Sequence, residues 1–151
     1  MTLRALIFDD EPAIRQLLWS LFDGRGYEVF TFPNPSSCPL CETTVCPCPL
    51  HESCADVILS DLHMPVKRGL DFLEEQIEKG CKCKSMALMS GDFSDKDIQK
   101  AASLGIKVFK KPFTLAEMIG WLETIEKDLE PNRKLSNWPL SQSKLCTSDD
   151  C

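Results

Sequence analysis

This chain predicts a doubly wound α/β domain built on a five-stranded parallel sheet, and three observations carry the prediction. Short apolar runs alternate with segments of helical periodicity, which implies parallel strands joined by right-handed crossovers. The 151 residues suffice for one such domain with a short appendage, not for a second fold. With 43% hydrophobic and 26% charged residues, a packed core is available and wholesale disorder is excluded.

Residues 3–8 are apolar apart from Arg4, short enough for a strand buried on both faces, and end abruptly in Asp9-Asp10-Glu11-Pro12. Pro12 suits the first turn of a helix, whose buried stripe is read as Ile14, Leu17, Leu18, Leu21 and Phe22, with Gly24 and Gly26 as stop signals. Residues 27–32, aromatic and β-branched, form the second strand. Residues 33–54 differ in composition and are taken up below. The third strand, 55–60, ends at Asp61. A helix after Gly69 buries Leu70, Leu73 and Ile77 and stops at Gly80. Residues 85–89 make the fourth strand, followed by Ser90-Gly91 and a helix capped by Ser94, with Ile98, Ala101 and Ala102 inward and Gly105 as its stop. Residues 106–109 are the fifth strand. Thr114 and Glu117 form a capping box for a last helix that buries Leu115, Met118, Ile119, Leu122 and Ile125. This divides the chain into a domain, residues 1–128, and a polar, mobile tail, residues 129–151.

In such a sheet the working residues lie just past the carboxyl ends of the strands. Here those positions hold Asp9 and Asp10, Asp61, Ser90 and Lys111. Carboxylates gathered at one edge repel unless a cation compensates, and hard oxygen ligands point to Mg²⁺. A carboxylate beside Mg²⁺ can attack a phosphoryl group, with lysine and hydroxyl donors on the equatorial oxygens. Asp61, Lys111 and Ser90 fit those three roles. Any one Asp alone reads more readily as a turn former or helix cap; their joint placement argues against that.

Four motifs then resemble the receiver domain of two-component response regulators, which has a flavodoxin-like fold: Phe-Asp-Asp-Glu-Pro at 8–12, Ser-Asp-Leu-His-Met-Pro at 60–65, Met-Ser-Gly at 89–91 and Lys-Lys-Pro-Phe at 110–113. The resemblance covers about residues 3–127. It implies that Asp61 is the phosphoacceptor and Asp10 the direct Mg²⁺ ligand. Asp9 would hold a metal-bound water, and the backbone carbonyl of His63 would be a further ligand. Ser90 would be the switch hydroxyl, Lys111 the phosphate-binding lysine, and the bond before Pro112 cis. The donor would be a sensor histidine kinase or a histidine phosphotransfer protein in a phosphorelay, and the output a downstream protein partner. No enzymatic activity beyond phosphorylation and dephosphorylation of the chain's own aspartate is implied. One position departs from the family: Val108 stands where an aromatic switch residue is usual, so that switch is in doubt. His63 and Asp92 flank the pocket by resemblance and would tune the phosphoryl lifetime; they read equally well as exposed loop residues.

The 33–54 segment stands where the family has its second helix, yet Pro33, Pro35, Pro39, Pro47 and Pro49 preclude a regular one. Cysteines take their place, and seven of the chain's nine fall in or near this segment. Cys38, Cys41, Cys46, Cys48, His51 and Cys54 are joined by Cys81 and Cys83 as candidate ligands, because parallel strands bring Cys54, Cys81 and Cys83 to one sheet edge. One or two structural Zn²⁺ ions are the leading reading; an iron–sulfur cluster, a redox dithiol and unliganded thiols are the others. Cys146 and Cys151 receive no role.

Net charge of −6 supplies no basic footprint for nucleic acid. The amino terminus is not a signal peptide and no apolar stretch spans a bilayer, so a cytoplasmic protein with reduced thiols is expected. About 20 residues past the last helix leave no room for an effector, and homodimerisation is left open. A second class of function, a metal or redox sensor or interaction module on a receiver scaffold, would use the cysteine segment as its input. A small-molecule enzyme has no dinucleotide-binding glycine pattern or Walker loop in its favour.

Overall fold

The computed structural model describes residues 2–38, 44–46, 48–49 and 51–137. It contains β1 (Leu3–Phe8), α1 (Pro12–Gly24), β2 (Tyr27–Phe32), β3 (Val57–Asp61), α2 (Gly69–Glu78), β4 (Met86–Ser90), α3 (Asp95–Ser103), β5 (Lys107–Lys110) and α4 (Leu115–Asp128). All five strands are parallel, in the order β2-β1-β3-β4-β5. The expected doubly wound sheet is therefore present. The strands β3, β4 and β5 begin one or two residues later than read, and for β5 the entry is spoken for. The amide of Ile106 donates to the Ala101 carbonyl at the end of α3, 2.9 Å away, and not to the sheet.

Each face of the sheet carries its own core. Leu18 and Phe22 of α1 and Met118, Leu122 and Ile125 of α4 pack on Ala5, Ile7, Val57 and Leu59. On the opposite face Leu70, Phe72 and Leu73 of α2 and Ala101 of α3 meet Leu6, Phe8, Phe30 and Phe32. Phe8 anchors that side, its ring 5.0 Å from Phe32 and 4.6 Å from Phe72.

Three helix faces differ from the expected stripes. In α1 the buried residues are Arg15, Leu18 and Phe22. Leu17, about 100° round the helix from Leu18, is 46% exposed. Leu115 begins α4 in its first turn and is exposed, and Ala102 of α3 faces solvent. Asp97 is buried instead; it closes the capping box with Ser94 and bonds Arg68.

The cysteine segment has no α-helix among its described residues. A single 3-10 turn, Pro35–Ser37, is capped by Asn34, whose side chain accepts from the Ser36 amide at 2.9 Å. The chain then returns across the carboxyl end of α2, where the Cys46 amide donates to the Lys79 carbonyl at 2.8 Å. Cys38, Cys48 and Cys54 are buried in the same apolar cluster as Phe30, Phe32 and Phe72.

The stretch after α4, expected to be mobile from residue 129, is tied down as far as residue 137. Arg133 clamps the buried Asp56 at 2.6 and 2.7 Å and donates to the Thr2 carbonyl at 2.7 Å. Ser136 is fully buried; its amide donates to the Ser53 carbonyl at 2.7 Å, and its carbonyl accepts from Arg4 at 2.6 Å. These bonds satisfy polar groups of β1 and of the entry to β3 that no strand reaches. Residues 138–151, including Cys146 and Cys151, lie outside the described residues. No described helix is long and apolar enough to cross a membrane.

Candidate functional site

Register builds the site. Phe8 pairs with Ser60, Asp61 with Met89, and Ser90 with Lys110, so Asp9 just after β1, Asp61 at the end of β3 and Lys111 just after β5 emerge side by side at the carboxyl edge. β1 and β3 also flank the point where the connections diverge to opposite sides of the sheet, the usual place for a ligand crevice. Asp9, Asp10 and Asp61 place carboxylate oxygens within 4.8 Å of one another. Asp9 is fully buried and Asp61 nearly so, while Asp10 is exposed.

Neighbouring groups hold these side chains in place. The Glu11 amide donates to Asp9 at 2.9 Å, and Arg15 reaches back from α1 to the Asp9 carbonyl at 2.7 Å. The Lys111 ammonium bridges Asp9 and Asp61 at 3.2 and 3.1 Å. Its own amide donates to the Ser90 carbonyl at 2.8 Å, and the Lys111–Pro112 bond is cis, as the resemblance implied. Close backbone packing sets Asp61 from behind: a Cβ on Gly69 would fall 2.1 Å from the Asp61 carbonyl oxygen and 2.8 Å from Ser60 Oγ.

Burial pushes the pKa of both Asp9 and Asp61 up, against the opposing pull of the Glu11 amide on Asp9 and of Lys111 on both. Burial also works against the Lys111 ammonium, but the two carboxylates more than offset it and its pKa ends above the ordinary lysine value. One ammonium facing three carboxylates leaves an excess of negative charge in a poorly hydrated place. A hard divalent cation is the species such an oxygen set accommodates.

At the mouth, Ser90 Oγ donates to Asp92 at 2.8 Å and the Asp92 amide returns a bond at 3.1 Å. His63 Nε2 lies 2.7 Å from the same Asp92 oxygen. Both side chains are exposed. The Ser90 hydroxyl and His63 draw the Asp92 pKa down. Thus His63 and Asp92, which the sequence reading set separately beside the pocket, form one bridge across its entrance. Val108, half-buried, packs against the α2–α3 side of the core.

At the opposite, amino-terminal edge the thiols collect. Cys48 has side-chain contacts with Cys54, Cys46 and Ser136, and Cys54 has a further one with Cys81. Contact with Cys54, above all, holds Cys48 down to about 6, and the same neighbour lowers Cys81. Cys83 is buried, and its thiol donates to the Ser85 carbonyl at 3.6 Å. Among the expected metal ligands the structure therefore links Cys46, Cys48, Cys54 and Cys81 as neighbouring pairs, Cys46 with Cys48, Cys48 with Cys54 and Cys54 with Cys81. His51 is exposed and lines a surface cavity beside Cys81 and Cys83. Cys38 is buried on the β2 side, and Cys41 lies outside the described residues.

The family model described as the response regulator receiver domain matches residues 5–123. The chain belongs to this family. Solved receiver structures share the fold at low sequence identity. The chemotaxis response regulator CheY4 of Vibrio cholerae is 24% identical with a TM-score of 0.64, over 83% of this chain and 99% of that one. The receiver domain of HemR from Leptospira biflexa is 21% identical with a TM-score of 0.69, over 86% and 98%. A response regulator receiver protein from Pseudomonas putida is 19% identical with a TM-score of 0.68, over 82% and 98%. At these identities the likeness speaks for the fold alone. No curated protein gives a significant sequence match.

The structure brings Asp9, Asp10, Asp61 and Lys111, read from the strand ends, to one edge of the sheet, with Ser90 at its mouth. Sequence reasoning missed Arg15 and Gly69. Arg15 could have been found, since it falls on the 15–18–22 stripe where only a buried partner explains a charge. Gly69 looks in sequence like any turn glycine; its close approach to Asp61 is visible only in three dimensions.

Proposed function

We propose that this receiver accepts a phosphoryl group on Asp61 from a histidine kinase or histidine phosphotransfer protein, in a Mg²⁺-dependent reaction, and signals by binding a protein partner. The observation that carries this reading is the buried Asp9–Lys111–Asp61 arrangement at the sheet edge. An Asp61 carboxylate oxygen forms the new P–O bond as the bond from phosphorus to the donor's imidazole nitrogen breaks. Lys111 stands 3.1 Å from the nucleophile and is placed to meet charge on the phosphoryl oxygens. Ser90 must leave Asp92 to donate to the phosphoryl group, which ties occupancy of the pocket to the Ser90–Asp92–His63 bridge. Asp9, Asp10, Asp61 and the backbone carbonyl of His63 would hold Mg²⁺, which neutralises the gathered negative charge of nucleophile and phosphoryl group. The chain then catalyses nothing but phosphorylation and hydrolysis at its own aspartate.

The test is incubation of the purified chain with acetyl phosphate and Mg²⁺. A base-labile, acid-stable phosphoryl label is expected, lost in Asp61→Asn and on removal of Mg²⁺. A label undiminished in Asp61→Asn would reject the assignment.

A further inference from the structure

We propose that Cys46, Cys48, Cys54 and Cys81 bind one zinc ion, which fastens the segment at residues 33–54 to the amino-terminal edge of the sheet. The four thiols come from three separate places in the chain: the middle of the segment, its junction with β3, and the loop from α2 to β4. Nevertheless they form a continuous set of contacts, Cys46 to Cys48, Cys48 to Cys54, and Cys54 to Cys81. Backbone bonds independent of the thiols fix the bearing positions. The Cys46 amide donates to Lys79, the Cys81 amide donates to the Gln76 carbonyl at 3.0 Å, and Lys82 Nζ donates to the Cys48 carbonyl at 3.1 Å.

The donor chemistry selects the metal. Four sulfur ligands suit a closed tetrahedral structural site, which the ion would complete by drawing the paired thiols inward, since among the described residues no three of them have their sulfurs within 4.8 Å of one another; soft thiolates exclude the Mg²⁺ expected at the other edge. Binding releases the remaining thiol protons to solvent and leaves a net negative site, which the Lys82 ammonium and the Ser136 side chain beside Cys48 partly offset. A complete shell of four leaves out the other candidates for good reasons. Cys83 is committed to the Ser85 carbonyl, and His51 is exposed on the surface.

Need for the metal follows from the packing. The segment replaces a helix, yet its described residues that reach the core are Pro35 and three cysteines, with no leucine, isoleucine or phenylalanine among them. Metal ligation couples directly to folding where apolar burial is this thin.

The experiment uses the full chain purified without added metal. Elemental analysis should find one zinc per chain. Alkylation with iodoacetamide and peptide mapping should show Cys46, Cys48, Cys54 and Cys81 protected, and all four should become reactive after treatment with a strong chelator. Cys54→Ser and Cys81→Ser should lose the zinc, whereas Cys38→Ser should keep it. Should the first two fail to fold, cobalt(II) titration of the chelated wild-type chain replaces them: tetrahedral thiolate–cobalt absorption that zinc then abolishes is expected. Metal-free protein indifferent to chelator, iron with sulfide absorption, a disulfide within the cluster, or protection of a different set of cysteines would each overturn the site. Asp61→Asn should still carry its zinc, so the failure of one reading is distinguishable from the failure of the other.

Discussion

Asp9 and Asp61 are ionisable groups that the fold places where ionisation is costly. Both pKa values are raised above 3.8 by burial. In the window between 3.8 and the folded value the native state binds more protons than the unfolded one, so stability falls as pH rises through it. At neutral pH the pocket is therefore a liability that a cation relieves. Mg²⁺ at a hundredfold excess over its dissociation constant should stabilise the chain by about 2.7 kcal/mol at neutral pH. The increment should vanish as pH falls through that window, when the carboxylates protonate and release the ion. Calorimetric melting with and without Mg²⁺ at both extremes checks this, and an equal increment at the two would contradict it. Gly69 supplies a second prediction. An added Cβ would clash with the Asp61 carbonyl, so Gly69→Ala should lower stability by about 2 kcal/mol, read from the urea midpoint, and should slow phosphorylation by displacing Asp61. The aspartates and the lysine at the strand ends were legible because strand ends are easy to locate from apolar runs. Gly69 was not, because steric contact between distant backbone segments leaves no periodic trace.

Among the elements, strands and helices followed the patterns that predict them, and departures came where polar bonds compete with periodicity. Arg15 displaces an apolar residue from the inner face of α1 because the Asp9 carbonyl needs a donor. The segment after α4 read as a polar tail because its contacts are ionic and backbone bonds, invisible to hydropathy. Its anchor is the bidentate Arg133–Asp56 pair, in which the carboxylate side chain is only 3% exposed. Arg133→Ala leaves that carboxylate with the Arg4 amide as its remaining described donor, so a loss of about 3 kcal/mol is expected in urea unfolding. Truncation after residue 129 should cost at least as much; a loss under about 0.5 kcal/mol, the range of ordinary surface substitutions, would show that the strap is not part of the fold. The cysteine segment poses the opposite case. A helix there would bury several large apolar side chains at about 1.5–3 kcal/mol each, whereas small structural zinc sites supply about 10–16 kcal/mol. One ion, if bound as proposed, would supply stabilisation of the same order as the missing packing. The sequence showed that a helix was impossible; which cysteines meet depended on the register of strands far apart in the chain.

Across the molecule, the sheet separates two chemistries. Carboxylates gather past the carboxyl ends of β1 and β3, and thiols gather before the amino ends of β3 and β4. Cys54 and Asp61 bracket β3, which at about 3.3 Å per residue keeps them roughly 20 Å apart. The proposed metal at one edge would leave the carboxylate pocket at the other unobstructed. The region between α3, β5 and α4, where Val108 stands in place of an aromatic residue, is lined by Ile98, Phe109 and Trp121 and lies next to the Lys111 strand end. Borohydride trapping identifies the phosphoacceptor. An aspartyl phosphate is reduced to homoserine, which tandem mass spectrometry locates. After acetyl phosphate and Mg²⁺ treatment homoserine is expected at position 61 alone; homoserine at another position, or none in a protein that carries label, would rule out Asp61 as the acceptor.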